Sequence, residues 1–149
     1  MAGGPLPRAV LFACTLNSVR SPMAEAMTRF LFGATIATFS AGLRAGAPDG
    51  FAIVVMDEIG MDLLRHEPRT FQDIEDFDFD LVVTLSPEAH HGALEYCRDR
   101  DVAVEYWPTH DATAIEGDRE QRLEAYRAVR DALMARIKQR FGWRALGDV

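Results

Sequence analysis

Residues 9–13, Ala-Val-Leu-Phe-Ala, form an unbroken apolar run that stops at Cys14 and gives way to polar residues 15–21. So short a run without polar alternation suits a strand buried on both faces, as in a parallel sheet covered by helices. A helix follows in the pattern: Ser21 as N-cap, Pro22 at the first helical position, Met23, Met27, Phe30 and Leu31 as an apolar stripe, and Gly33 to end it. Residues 35–39 read as a second strand closed by Ser40-Ala41-Gly42. Asp49 caps a helix whose Ala52, Ile53, Met56 and Ile59 face inward, with Gly60 at its end. Thr70 and Asp73 resemble a capping box around a short turn. Residues 80–85 make the third strand, Ser86-Pro87-Glu88 opens another helix, and residues 102–107 make the fourth strand. Leu123, Tyr126, Val129, Leu133 and Ile137 fall three or four apart, so residues 119–140 form a last amphipathic helix.

Strands alternating with helices imply βαβ units, an α/β chain of one domain over residues 1–149, with a parallel sheet covered on both faces. Ligands in such sheets bind beyond the carboxyl ends of the strands. The loop after the first strand is therefore the first place to look for chemistry.

Charge narrows the partners. Sixteen Lys and Arg against 23 Asp and Glu leave a net charge of -7, which repels polyanions and argues against nucleic acid or an anionic membrane. A small anion still fits a locally positive pocket. Two cysteines, Cys14 and Cys97, are too few for a disulfide scaffold and suit a reducing compartment. No leader-like run and no stretch near the ~18 apolar residues of a membrane span is present. The expectation is a cytoplasmic protein.

The loop reads Cys14-Thr15-Leu16-Asn17-Ser18-Val19-Arg20-Ser21-Pro22. If it curls, its successive N–H groups point into one concavity at a helix N-terminus, a geometry that binds a tetrahedral dianion. Arg20 then grips two of the anion's oxygens with its planar fork. The same positive potential favours the thiolate of Cys14, and the Ser21 hydroxyl can donate to it. By itself a Cys-x5-Arg spacing arises by accident; its place between a buried strand and a Pro-started helix makes it specific.

Residues 10–14 and 20–26, the latter Arg-Ser-Pro-Met-Ala-Glu-Ala, resemble the signature of the low-molecular-weight protein tyrosine phosphatases, a family that includes related arsenate reductases. The resemblance continues through Ser40-Ala41-Gly42, His66-Glu67-Pro68-Arg69, residues 80–85, residues 107–111 and the final helix. It implies a flavodoxin-like three-layer sandwich with four parallel strands in order 2-1-3-4. It also implies a two-step hydrolysis of phosphate monoesters without metal or cofactor. Cys14 would be the nucleophile, and residues Thr15, Leu16, Asn17, Ser18, Val19, Arg20 and Ser21 the phosphate loop. Asp111 would be the acid that protonates the leaving group; from the residues alone it reads equally well as the N-cap of a turn. Asn17 would hold the loop in a left-handed turn by bonding Ser21, Ser40 and His66, the histidine serving structure rather than chemistry. The implied partners are a phosphorylated protein or small phosphate monoester, and oxyanions such as inorganic phosphate or vanadate.

Departures from the family pattern bear on specificity. A glycine is usual at position 16, where this chain has Leu16, expected to enlarge one pocket wall or strain the loop. A second cysteine often precedes the arginine; here it is Val19, so a protective disulfide has no partner. Asp111 is followed by Ala112 and Thr113 rather than Pro and Tyr, which removes the ring that would stack on an aryl substrate. Two other readings compete with the phosphatase. One is arsenate reduction, which would need an external thiol because Ser86 and Ala93 stand where thioredoxin-coupled relatives keep a cysteine pair. The other is a non-catalytic phosphate-binding module.

The remaining polar clusters read as structure. His90-His91 is expected on a solvated helix surface, and Asp73, Glu75, Asp76, Asp78 and Asp80 form a charged loop lacking cation-loop spacing. Cys97 packs its helix, and the arginines of the last helix form a salt-bridged exposed face.

Overall fold

A computed structural model describes residues 5–143. Four strands, β1 (Ala9–Cys14), β2 (Ala37–Gly42), β3 (Leu81–Thr84) and β4 (Ala103–Tyr106), form one parallel sheet in the order β2-β1-β3-β4. Four helices connect or follow them: α1 (Arg20–Phe32), α2 (Gly50–Asp57), α3 (Pro87–Tyr96) and α4 (Arg119–Phe141). This is the flavodoxin-like order that the family resemblance implies. Every residue of β1 is buried, as the unbroken apolar run requires.

Alternation along β1 divides the core in two. Val10 and Phe12 face a cluster built with Met23 and Met27 of α1, Val55 and Met56 of α2, and Tyr126, Leu133 and Ile137 of α4. Leu11 and Ala13 face the other side, where Ala89, Ala93 and Cys97 pack with Phe71 and Ile74. Fully burying a side chain such as Phe12 contributes ~1.5–3 kcal/mol, so two filled faces hold β1 firmly in register. Asp80 ties down its start, accepting from the main-chain N–H groups of Arg8 and Ala9.

Several boundaries differ from the sequence reading. Strand β2 begins at Ala37 because the N–H groups of Thr35 and Ile36 both bond back to Phe32 and finish α1. Strands β3 and β4 are each one residue shorter at both ends, although Asp80, Leu85 and Trp107 still donate main-chain bonds to Ala9, Ala13 and Thr84. In α2, Val55 is the residue sealed beside Ala52 and Met56, whereas Ile53 and Ile59 are half-buried. The caps at Asp49, Ser86 and Asp118 are present, the last as a full capping box with Gln121. Arg127 and Arg130 bridge Glu58 as a salt-bridged face would, but Arg140 is buried and donates to Glu105 of edge strand β4. No helix among the described residues is long and apolar enough to cross a membrane.

Candidate active site

Cys14 is the last residue of β1, paired in register with Gly42. The chain then curls. The carbonyls of Cys14, Thr15 and Leu16 point outward and accept from the N–H groups of Leu43, Arg44 and Gly46 at 3.3, 3.0 and 2.9 Å. Asn17 adopts φ 55°, the single positive φ outside glycine among the described residues. With the carbonyls turned away, none of the amides of residues 15–19 donates to a protein acceptor among the described bonds. They are free to serve an anion at the start of α1.

Asn17 explains why the loop holds this shape. Its Oδ1 accepts from the Arg69 N–H at 2.9 Å, which fixes the orientation of the amide. Its Nδ2 therefore donates to Ser21 Oγ at 2.9 Å and Ser40 Oγ at 3.0 Å. Ser21 Oγ also lies 2.9 Å from Cys14 Sγ, so its hydrogen is available to a thiolate at that sulfur. Ser40 in turn donates to Glu25 Oε1 at 2.8 Å. The sequence reading had Ser21 as the N-cap of α1; instead it lies inside the first turn, the cap position is Val19, and no side chain caps the helix. The hydroxyl serves the sulfur rather than the helix end.

His66 bonds the main chain of Asn17 rather than its side chain. Its Nε2 lies 2.9 Å from the Asn17 carbonyl, which can only accept, so Nε2 carries the hydrogen. Two residues of this network were missed by sequence reasoning. Glu25, buried in the second turn of α1, binds Arg29 at 2.8 Å and Arg69 at 3.3 Å. Its i,i+4 spacing to Arg29 was a legible signal; its links to Ser40 and Arg69 span the fold and were not.

Arg20 turns toward the loop after β4 and donates to the Thr109 carbonyl at 3.1 Å. That loop is anchored by Trp107, whose N–H bonds Thr84 and whose ring meets Phe12 edge-on. Asp111 lies beyond it, exposed, with Oδ1 accepting from Thr113 Oγ1 at 2.6 Å and the Thr113 N–H at 3.0 Å. It therefore does cap a short turn, Ala112–Ala114. Partial burial pushes its carboxyl upward, but the two Thr113 hydrogen bonds and the charges of Arg20 and His110 outweigh that and hold it below the usual carboxylate range.

Cys14, Thr15, Leu16, Ser18, Val19, Arg20 and Asp111 all line one cleft of about 400 Å³. Arg44, Glu88 and Thr113 complete its rim. The Thr15 hydroxyl links to Ser86 Oγ at 3.0 Å and reaches toward Glu88 at 3.4 Å. Leu16 causes no backbone strain, because its φ is not positive and glycine is not required there. It is 43% exposed and forms an apolar lip facing Gly46, where a Cβ would come within 3.0 Å of Leu16 Cβ. Val19 is buried in the core. A separate groove of about 500 Å³ runs between residues 107–110 and α4, away from Cys14.

His90 departs from the expected solvated surface: its ring stacks on Tyr106 at 4.6 Å and Nδ1 meets Thr84 Oγ1 at 2.9 Å, while His91 is exposed. Cys97 packs on the opposite face of the sheet from Cys14, and burial raises its pKa. Both cysteines are free thiols.

A family model described as low molecular weight phosphotyrosine protein phosphatase matches residues 9–145. Curated relatives named arsenate reductase, from Shouchella clausii (strain KSM-K16) and Bacillus subtilis (strain 168), are each 32% identical over 136 residues, covering 87% of this chain and 92% of the relative. A solved arsenate reductase in the phosphate binding state is 26% identical with a TM-score of 0.73, over 91% of this chain and 97% of that one. The tyrosine phosphatase amsI of Erwinia amylovora, 19% identical, has the same fold with a TM-score of 0.75 over 95% of this chain and 96% of that one.

Proposed function

This chain belongs to the low molecular weight phosphotyrosine protein phosphatase family, and from that premise we propose that it hydrolyses phosphate monoesters, protein phosphotyrosine among them, through a cysteinyl-phosphate intermediate. The observation that carries the reading is that Cys14, Arg20 and Asp111 line one cleft, with a hydroxyl 2.9 Å from Cys14 Sγ. The phosphoryl group sits over the free amides of the loop. The guanidinium of Arg20 has donors enough to bind two phosphate oxygens and keep its bond to Thr109. The Cys14 thiolate attacks phosphorus as the P–O bond to the leaving group breaks, and Asp111 gives that oxygen its proton. Asp111 then accepts a proton from water, which attacks phosphorus and expels the thiolate. The Ser21 O–H stabilises the sulfur's charge at both steps. Because Asp111 is ionised in the free protein at neutral pH, the reactive complex draws its proton from the phosphate monoanion.

Arsenate reduction is the second reading, favoured by the names of the curated relatives. Its two electrons must come from two thiols. Cys97 is across the sheet, and Ser86 and Ala93 carry no sulfur, so the second thiol would be an external one. It would attack the Cys14–arsenic adduct, release arsenite and leave a mixed disulfide that a further thiol opens.

Turnover of phosphotyrosine peptide, an alkyl phosphate, and arsenate with added small thiol separates these readings. The expected result is aryl phosphate hydrolysis without thiol or metal, lost by roughly a thousandfold or more in Cys14→Ser. Arsenate consumption without phosphatase turnover would replace the first reading by the second. Phosphate or vanadate binding with no turnover of any substrate would defeat both.

A further inference from the structure

A second groove, about 550 Å³, adjoins the cleft. Thr113 lines both, next to the Asp111 turn. The groove is formed by the start of α2 and the first two turns of α4. Phe51 lies in it with two guanidinium groups over its ring, Arg122 at 4.6 Å and Arg119 at 5.5 Å from the centroid. Neither forms an ion pair among the described residues, whereas Arg127 and Arg130 further along α4 each bridge several carboxylates. In a chain of net charge -7, two unpaired cations sharing one ring repel each other and leave a local positive site.

Of the nearby carboxylates, Asp49 itself lines the groove, and none forms an ion pair with Arg119 or Arg122 among the described residues. Asp49 accepts from the Ala52 N–H and the Tyr126 hydroxyl, and Asp118 from the Gln121 N–H. Glu120 binds Arg127, and Asp111 binds Thr113. On the far side of the cleft, α3 contributes Glu88 to the rim. The cleft rim carries Arg44 as well as Glu88, and Arg119 and Arg122 line the adjoining groove together with Asp49.

Resting on the phosphatase reading, we propose that this groove docks an acidic segment flanking the phosphorylated residue of a protein substrate. The phosphoryl group occupies the Cys14 cleft, the chain runs past Thr113, and glutamate or aspartate side chains lie between Arg119 and Arg122. Glu88 repels the same segment from the α3 side, which sets the direction in which it lies.

The test compares p-nitrophenyl phosphate with phosphotyrosine peptides that differ only in glutamate, glutamine or lysine flanks. The expected kcat/KM falls in that order, with on the order of tenfold between the first and last, and the spread shrinks at high salt. The double variant Arg119→Glu/Arg122→Glu removes or reverses the order while hydrolysing p-nitrophenyl phosphate as before. Arg119→Lys/Arg122→Lys keeps the order. Equal kcat/KM for the three flanks in the unaltered protein, or a charge reversal that slows p-nitrophenyl phosphate as much as the acidic peptide, overturns the docking proposal alone. Failure of the unaltered protein to hydrolyse p-nitrophenyl phosphate overturns the phosphatase reading, and the docking proposal with it.

Discussion

Two loops meet over the strand ends, and they are built differently. The loop after β1 is held from beneath by a buried lattice: Asn17 and Ser40 are fully buried, and Glu25 nearly so, with Arg69, His66 and Ser21 bonded among them. Its shape is fixed before any ligand arrives. Asp111, in the loop after β4, is exposed and bonded only to Thr113, two residues on. The loop is anchored at Trp107, at Thr109 through its N–H to Leu85, and at buried Ala112, so what stays adjustable is the exposed Asp111 side chain between them. An anion cradle works by presenting fixed dipoles, so it gains from rigidity. The proton donor that we propose Asp111 to be must follow the leaving group of whatever substrate is bound, and local attachment suits that role.

The sharpest break of this contrast comes from Asp111→Asn. The expected loss in kcat is about a hundredfold for poor leaving groups such as alkyl phosphates, and far less for p-nitrophenyl phosphate. Thermal unfolding should be unchanged within a degree or two, because the bonds removed are local. Equal slowing for all leaving groups would take the acid role away from Asp111. In the unaltered protein, kcat/KM should decline as pH rises past the phosphate's second pKa, about 6, where the shared proton is lost.

Asn17→Ala should show the opposite balance. It orphans several buried partners and places alanine at a left-handed φ, so unfolding by urea should be easier by about 2–4 kcal/mol. Phosphate affinity and kcat/KM should fall roughly tenfold for every substrate alike. Unaltered stability would mean that the buried lattice does not hold the loop.

The smallest effect separates the ends of β1. Burial pushes Asp80 up, but the N–H groups of Ala9 and Arg8 prevail and hold its carboxyl below the usual carboxylate range. A depressed carboxylate stabilises the fold above the unfolded value and loses that contribution as pH falls through the folded one. The difference in urea midpoint between the unaltered protein and Asp80→Asn should therefore be constant above about pH 5 and shrink below it. Turnover should not change, since the tie lies at the far end of the strand from Cys14; a large rate effect would show that the cradle depends on it.

Much of this was legible in residues. The apolar run at β1, the cap at Asp49 and the Ser86-Pro87-Glu88 start are local signals obeyed locally. Ser21 misled for a physical reason: a serine before Pro22 satisfies the N-cap rule, but a sulfur and an Asn17 amide compete for its hydroxyl, and both are brought there by the fold. His90 misled likewise, since the ring it stacks on, Tyr106, belongs to strand β4 and reaches helix α3 only through the fold. Glu25 and Arg69 received no role from the sequence, because only the fold brings them together beneath the loop.

From the order of residues alone follow the strands, the helices and the position of Cys14 with Arg20 beside it, because periodicity, capping and a compact loop are matters of neighbours along the chain. Which side chains surround that sulfur, how the Asp111 turn lies against it and which arginines stay unpaired were settled by tertiary packing. Burial and electrostatics depend on distances through space between residues that the sequence keeps far apart.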